Sequence, residues 1–153
     1  MKRFLILVTA AIVMITAAGC GMESRQEQVR SSLGSCERIA FYTSGGFQDY
    51  TDFGMYSCFA VDLENNPYFA PITAPDREVL WAFLDDFEGW IDTIGRSDPT
   101  NEVVVNYAFD RSIVDTGDWF YIYEAPDYQK FGSYDIWFLD SQSNMLYYFH
   151  NNI

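Results

Sequence analysis

One histidine and 22 acidic residues are the side chains of this 153-residue chain that could perform acid-base chemistry. A serine or cysteine nucleophile would have to use His150 as its base, but a histidine in a terminal strand is more often a surface or hydrogen-bonded residue. Asp85 and Asp86 are adjacent in a predicted helix and point about 100° apart, which indicates a solvated face. Gly45 and Gly46 have no helix behind them, so no phosphate cradle is expected. These residues do not predict an enzyme, although a pair of carboxylates from separate strands stays open.

Two of the three cysteines could form a disulfide. Cys36 and Cys58 lie in neighbouring predicted strands, which is the arrangement that a cross-strand bridge needs, and disulfides persist in exported proteins. The alternative is a pair of buried thiols that act as small apolar residues. Two cysteines and a distant histidine lack the clustered spacing of a zinc site, so we expect no metal site and no cofactor.

The third cysteine, Cys20, follows an N-terminal sequence with the features of an export signal. Lys2 and Arg3 precede an uncharged apolar run at 4–18, which is shorter than the ~20 residues of a spanning helix. The sequence AAGC at 17–20 resembles the lipobox of bacterial lipoproteins. In that family, small residues precede a cysteine that is acylated and becomes the first residue of the mature protein.

This resemblance covers residues 1–20 and implies a lipoprotein signal peptide at 1–19, with a membrane anchor of acyl chains such as palmitate on Cys20. It places the protein in the bacterial cell envelope, on the outer leaflet of the cytoplasmic membrane, or on the outer membrane of a cell that has one. An ordinary signal peptide cut near Ala18 is the alternative, and it would leave Cys20 as a spare thiol.

The mature chain has the length of one domain. The polar segment 20–35 is typical of a tether, in which residues 23–33 could form a short helix. A single domain is then expected over 36–153.

The charge of the chain restricts its partners. The net charge is −13, and removal of residues 1–19 leaves 22 acids and seven bases, a net charge of −15. Phosphates would repel such a domain, so no nucleic acid partner is expected, and the domain would not adsorb directly on anionic lipid. Membrane attachment therefore depends on the acyl chains. The acidic charge is compatible with a basic partner or a cation, but solubility at an extracellular surface explains it better.

The elements that position these residues begin with segment 73–95, which has the pattern of a long amphipathic helix. Thr73 or Ala74 is expected to cap its start, and Gly95 to take a left-handed conformation at its end. Trp81 is an exception, because it aligns with the acidic face and is expected outside the core. The apolar arc consists of Val79, Leu80, Phe83, Leu84, Phe87, Trp90, Ile91 and Ile94.

The remaining segments indicate strands. Residues 36–43 and 54–62 predict a hairpin, and after the helix the segments 102–109, 119–124, 134–140 and 145–150 predict four more strands with short connections. Short connections favour antiparallel neighbours. We therefore expect an α+β domain: an antiparallel sheet of about six strands, built from a hairpin, the helix and a four-stranded meander, with the helix packed on one face.

The hairpin tip at 44–53 contains Phe47, Tyr50 and Phe53 among polar residues. This composition is typical of loops that meet partners and equally of loops that fold back over a core. Folding back is the favoured prediction.

Aromatic residues make up 18% of the chain. In the strand 119–124, alternation places Phe120 and Ile122 towards the helix. Trp119, Tyr121 and Tyr123 then face the opposite way and are expected to be joined by Trp137, as a candidate contact surface for a protein or a glycan. The alternative is that the tether, the hairpin tip or a second subunit covers this row.

Together these features favour a lipid-anchored extracytoplasmic binding or inhibitory module that acts on another envelope protein, and not an enzyme. The second hypothesis is a surface domain that holds a small ligand or a glycan against aromatic rings. The third is an unrecognised hydrolase. The sequence does not identify a partner or a ligand.

Overall fold

The computed structural model describes residues 24–46, 49–125 and 132–152. The chain divides into two units, residues 1–30 and residues 31–153. The described part of the first unit belongs to helix α1, Arg25–Ser31, in which Arg30 pairs with Glu27. The short helix that the sequence suggests within 23–33 is therefore present. No helix among the described residues is both long enough and apolar enough to span a bilayer.

Within the described residues, the second unit is an α+β fold with a six-stranded antiparallel sheet, which confirms the predicted class. The strands lie in the order β1-β2-β6-β5-β4-β3, so the last strand fills the gap between the hairpin and β5. The elements are β1 Ser35–Thr43, β2 Tyr50–Phe59, β3 Ala70–Pro71, helix α2 Ala74–Ser97, helix α3 Glu102–Asn106, a 3-10 turn Arg111–Ile113, β4 Trp119–Glu124, β5 Tyr134–Asp140 and β6 Met145–Asn152.

Helix α2 and one face of the sheet enclose an aromatic core. Phe87 of the helix meets Phe149 of β6 edge to face, with ring centroids 5.3 Å apart, and Phe53 of β2 lies 5.5 Å from Phe149. Phe83 and Ile91 of the helix are also buried. The prediction that Phe83, Phe87 and Ile91 belong to the core is confirmed. Phe53 is also buried, but as a residue of strand β2 and not of a tip loop that folds back. Phe47 of the predicted tip lies outside the described residues.

The start of α2 follows the sequence prediction, but its end does not. The Thr73 amide donates to Asp76 Oδ2 at 3.0 Å, which caps the first turn. The helix continues through Gly95 to Ser97 and closes with a hydrogen bond from the Asp98 amide to Ile94 O at 2.7 Å. Gly95 is therefore not the left-handed end of the helix. A Cβ at Gly95 would lie 3.3 Å from a methyl group of Val104, so the missing side chain lets α3 approach closely.

The predicted strand 102–109 is wrong, because residues Glu102–Asn106 form helix α3. Asn101 caps this helix by accepting from the Val103 amide at 3.1 Å. Val103 is fully buried in the core cluster. A run of valines has a weak preference for strands, and here the cap and the buried contact outweigh that preference.

The predicted faces of α2 need two corrections. Val79, expected in the apolar arc, is 50% exposed. Trp81, expected outside the core, is half-buried and packs against the core cluster, with the Arg77 guanidinium 5.0 Å from its ring centroid. The acidic face is also not fully solvated, because Arg111 pairs with Glu88 at 2.8 Å. The 3-10 turn that carries Arg111 covers part of this face.

From their burial, we expect the loss of the Phe87 ring to cost more folding stability than the loss of the Trp81 ring. Phe87→Ala leaves a cavity in the aromatic core and is expected to cost ~3–5 kcal/mol. Trp81→Ala removes a ring that water partly reaches, so its cost is expected to be nearer to ~1 kcal/mol. Urea denaturation midpoints measure both, with Val105→Ala as the exposed control. Equal losses for Phe87→Ala and Trp81→Ala would contradict this description of the core.

Candidate functional site

A disulfide fixes the open end of the β1–β2 hairpin. Cys36 and Cys58 are direct cross-strand partners, and their sulfur atoms are bonded in the structure. The structure thus has the bridge and not the alternative pair of thiols. The bridge holds the end of the hairpin that lies away from the tip.

The tip of the same hairpin closes over a small pocket. This hairpin-tip pocket lies between the tip, the second half of helix α2 and the end of β6, and its volume is about 130 Å³. It is lined by Ser44, Asp49, Tyr50, Thr51, Trp90, Ile94, Asn151 and Asn152.

One aromatic side chain in the lining, Trp90, is held by its neighbours. The indole of Trp90 donates a hydrogen bond to Asp86, which also accepts from the Tyr134 hydroxyl at 2.8 Å. Burial raises the pKa of the Asp86 carboxyl, although these two hydrogen bonds act in the opposite direction. The ring of Tyr50 turns the other way and lies against the imidazole of His150, with centroids 4.8 Å apart. Trp90 is therefore the fixed aromatic wall of the pocket.

The polar wall of the pocket contains an unmet hydrogen-bond donor. Asn151 is 1% exposed, and its Oδ1 accepts from Thr51 Oγ1 at 3.0 Å. Asn151 Nδ2 is buried without a hydrogen-bond partner among the described residues. Leaving such a donor unsatisfied costs about 1–3 kcal/mol. Nδ2 is closed to solvent, so the fold itself must offset that cost.

Backbone and side-chain hydrogen bonds hold the hairpin tip in place. The Ser44 and Thr51 segments exchange two bonds, from Ser44 N to Thr51 O and from Thr51 N to Ser44 Oγ, each 2.8 Å long. Asn101 Nδ2 donates to Ser44 O at 2.9 Å, and Glu102 accepts from the Thr43 amide at 3.0 Å. The start of α3 thus anchors the rim of the pocket.

A second polar cluster lies on the sheet face opposite α2. His150 is the cross-strand neighbour of Asp52 in β2 and of Asp135 in β5. His150 Nδ1 lies 2.7 Å from Asp135 Oδ1, which also accepts from the Tyr148 hydroxyl at 2.7 Å. Burial raises the pKa of the Asp52 carboxyl. His150 is thus a hydrogen-bonded residue, as the sequence favoured, but its two acidic neighbours could not be found without the strand order.

The predicted aromatic contact surface is incomplete. Trp119, Tyr121 and Tyr123 alternate with Phe120 and Ile122, and the latter two pack on the core cluster as predicted. The first three are half-buried.

Trp137, however, is 1% exposed, which corrects its place in that surface. Its ring lies 4.3 Å from the ring of Tyr148 and 6.1 Å from that of Tyr56. Tyr121 packs edge to face on Tyr68 at 5.3 Å. Strand alternation correctly predicted that Trp137 faces away from helix α2. It could not predict that neighbouring side chains bury the ring on that face.

An open groove of about 380 Å³ runs along the β4 side of the sheet, and Tyr121 is the residue of the predicted surface that lines it. Val79 contributes its exposed side chain to this edge groove. The full lining is Tyr68, Ala70, Val79, Phe83, Phe120, Tyr121, Ile122 and Glu124.

Other expectations concern metals and the anchor. Across residues 24–46, 49–125 and 132–152, no three His, Cys, Asp or Glu side chains converge in a way that could hold a metal ion. Cys20, the expected lipidation site, lies outside the described residues.

The fold and the site define an α+β domain with a ring-sized pocket at a hairpin tip. Searches of protein family models, curated proteins and solved structures find no match to this chain.

The raised pKa of Asp52 predicts how the folding stability of an Asp52 variant depends on pH. A carboxyl whose pKa is higher in the folded state contributes stability below its ordinary pKa and loses it as the pH rises through the folded value. Asp52→Asn removes the buried charge, so it is expected to raise the urea midpoint at pH 7, and the gain should shrink as the pH falls towards 4. Asp49→Asn, at an exposed position, is the control. A lower midpoint for Asp52→Asn at pH 7 would mean that neighbouring groups hold the ionised form.

Proposed function

We propose that this chain is an extracytoplasmic binding module, held at the outer face of a membrane by acyl chains on Cys20, whose ligand occupies the hairpin-tip pocket. The observation that carries the proposal is a pocket of about 130 Å³ with a fixed aromatic wall, Trp90, and polar side chains of the hairpin tip and β6 in its lining. Small-ligand sites commonly combine apolar walls with a few placed polar groups.

The groups around the pocket suit binding better than catalysis. Its described lining contains one carboxylate, Asp49, together with two amides and three hydroxyl side chains. Such groups orient a neutral molecule through hydrogen bonds. A hydrolytic site would pair a nucleophile or a water with a second titratable group.

The anchor proposal rests on the lipobox-like sequence that ends at Cys20 and on the acidic charge of the chain. A domain with this net charge gains nothing from anionic lipid, so the acyl chains must hold it at the membrane. Two or more chains on one cysteine anchor a protein far more firmly than a single chain does.

A second candidate function is the binding of another envelope protein at the edge groove. The open groove of about 380 Å³, with half-exposed Val79 in its lining, favours it. It keeps Tyr121 of the predicted aromatic contact surface, whereas Trp137 is buried and Trp119 and Tyr123 are not in the lining of the groove. The hairpin-tip pocket is better supported, because Trp90 is held in its wall by a hydrogen bond to Asp86.

The anchor is tested by Cys20→Ser. This variant lacks the thiol that would be acylated, so it is expected to be released from the membrane or to persist as the unprocessed precursor. Mass spectrometry of the mature N-terminus measures the outcome, and the wild-type protein should begin at an acylated Cys20. An unmodified wild-type N-terminus at another residue would reject the anchor.

The location of the site is tested through the four tryptophans, whose indole signals report on different surfaces in one NMR experiment. Small polar ring compounds that bind in the hairpin-tip pocket are expected to shift the Trp90 indole signal, because its ring lines the pocket. The buried Trp137 should be unaffected. Compounds that bind the protein and leave the Trp90 signal unchanged would reject the pocket.

A further inference from the structure

We propose that Asp86 regulates the hairpin-tip pocket by taking up a proton: its carboxylate holds Trp90 in the pocket wall at neutral pH and releases it in mild acid. The inference rests on the proposed function, because it concerns the regulation of the same pocket. It follows from the position of Asp86 beside the wall, from the two donors that share its carboxylate, and from its partial burial.

Asp86 connects the pocket wall to the sheet. It stands four positions before Trp90 in helix α2, so the two side chains lie on the same side of the helix. Its carboxylate accepts from the Trp90 indole, and its Oδ2 accepts from the Tyr134 hydroxyl of β5 at 2.8 Å. Tyr134 is 1% exposed, and its ring packs edge to face on Phe83 at 5.2 Å, so its hydroxyl is a fixed donor. The orientation of the pocket wall therefore depends on one carboxylate.

The two protonation states of this carboxylate differ in what they can accept. An ionised carboxylate offers two acceptor oxygens, one for each donor, whereas a carboxylic acid keeps one full acceptor and gains a donor of its own. The buried Tyr134 hydroxyl is expected to keep the remaining acceptor, because an unsatisfied group costs most where water is absent. Trp90 is half-buried and can turn its indole N–H to water instead. Proton uptake therefore releases the wall.

Burial sets the pH range of this release. It raises the pKa of the Asp86 carboxyl above the ordinary value of 3.8, although the two hydrogen bonds act in the opposite direction. Burial and the neighbouring Asp86 carboxylate also raise the pKa of Tyr134, so its hydroxyl stays a donor throughout. Asp86 therefore takes up its proton in milder acid than an exposed aspartate does.

The groups around Asp86 leave its charge without a basic partner. Among the described residues, the titratable and charged groups on the adjoining elements are Tyr134 and Glu124 of the sheet, Tyr107 after α3, Arg111 of the 3-10 turn, and Asp85 and Glu88 of the helix itself. Arg111 pairs with Asp85 and Glu88, which point away from Asp86. No salt bridge within residues 24–46, 49–125 and 132–152 includes Asp86.

The test follows the Trp90 indole by NMR on the full chain in detergent micelles between pH 7 and pH 4. Exchange of its N–H with water, corrected for the intrinsic effect of pH, is expected to become at least ~tenfold faster in acid, because a hydrogen bond to a charged group is lost. The midpoint should lie above pH 3.8, the ordinary value for aspartate. The buried Trp137 is the internal control. Unchanged Trp90 exchange over this range would overturn the proposal.

Variants identify the titrating group. Asp86→Asn is uncharged at every pH, so Trp90 should exchange fast already at pH 7 and show no midpoint. Asp92→Asn changes an exposed carboxyl of the same helix and should behave as the wild type. Tyr134→Phe removes the competing donor, so the remaining acceptor stays with Trp90 and the acid effect should disappear.

A merely structural role of Asp86 would not predict that loss of the Tyr134 hydroxyl abolishes the pH profile. A wild-type midpoint in Asp86→Asn would assign the titration to another group and refute the proposal. This variant decides the matter alone if Tyr134→Phe does not fold, and circular dichroism establishes which variants are folded.

Phenol tests whether the wall controls the pocket. It is a neutral single ring over this pH range, so its own charge does not affect the comparison. Its binding, measured by the Trp90 indole shift, is expected to be at least ~tenfold weaker in acid, because apparent affinity scales with the fraction of molecules whose wall is in place. Binding to Asp86→Asn should be weak at both pH values. Asp49→Asn removes the other carboxylate of the lining and should keep the pH dependence.

Two outcomes separate this inference from the proposed function. Phenol binding that is equally tight at both pH values would overturn the regulation and leave the pocket as a binding site. Acid release of Trp90 in a protein that binds neither phenol nor other ring compounds would support the role of Asp86 and reject the proposed function.

Discussion

The contact between helix α2 and the aromatic face of the sheet is the interaction on which the rest of the structure depends. Phe87 lies against Phe149 of the last strand, and Phe109 joins them with its ring 4.9 Å from that of Phe149. Apolar area removed from water contributes about 25 cal/mol per Å², so rings of this size are the main source of stability. The same contact fixes the direction of the helix over β2, β5 and β6. The position of every residue on the second half of α2 therefore depends on this helix–sheet contact.

The hairpin-tip pocket is the continuation of this core beyond its last aromatic layer. Trp90 stands three positions after Phe87 and therefore on nearly the same side of the helix. Asn151 stands two positions after Phe149, and Thr51 two positions before Phe53, so both point to the helix side of the sheet. At the positions where another apolar layer of the core would lie, the chain has the amide of Asn151 and the hydroxyl of Thr51. The pocket therefore lies at the edge of the fold, where polar residues replace the apolar core.

The sequence allowed the parts of this arrangement that depend on local periodicity to be predicted. Helical spacing identified Phe87 as core, and alternation identified Phe120 and Ile122. Local patterns failed at 102–109, where a cap and a buried contact turned a valine run into a helix. They also could not show that β6 pairs with β2. That pairing brings Asn151 beside Thr51, so the pocket could not be found from the sequence.

Unmet polar groups occur on both faces of the sheet, and all of them are closed to solvent. Asp52 and His150 each contain a buried atom without a described hydrogen-bond partner on the face opposite α2, and Asn151 Nδ2 is such an atom on the helix side. Each unsatisfied buried group costs about 1–3 kcal/mol. The aromatic contact between α2 and the sheet must therefore supply the stability that these polar positions cost.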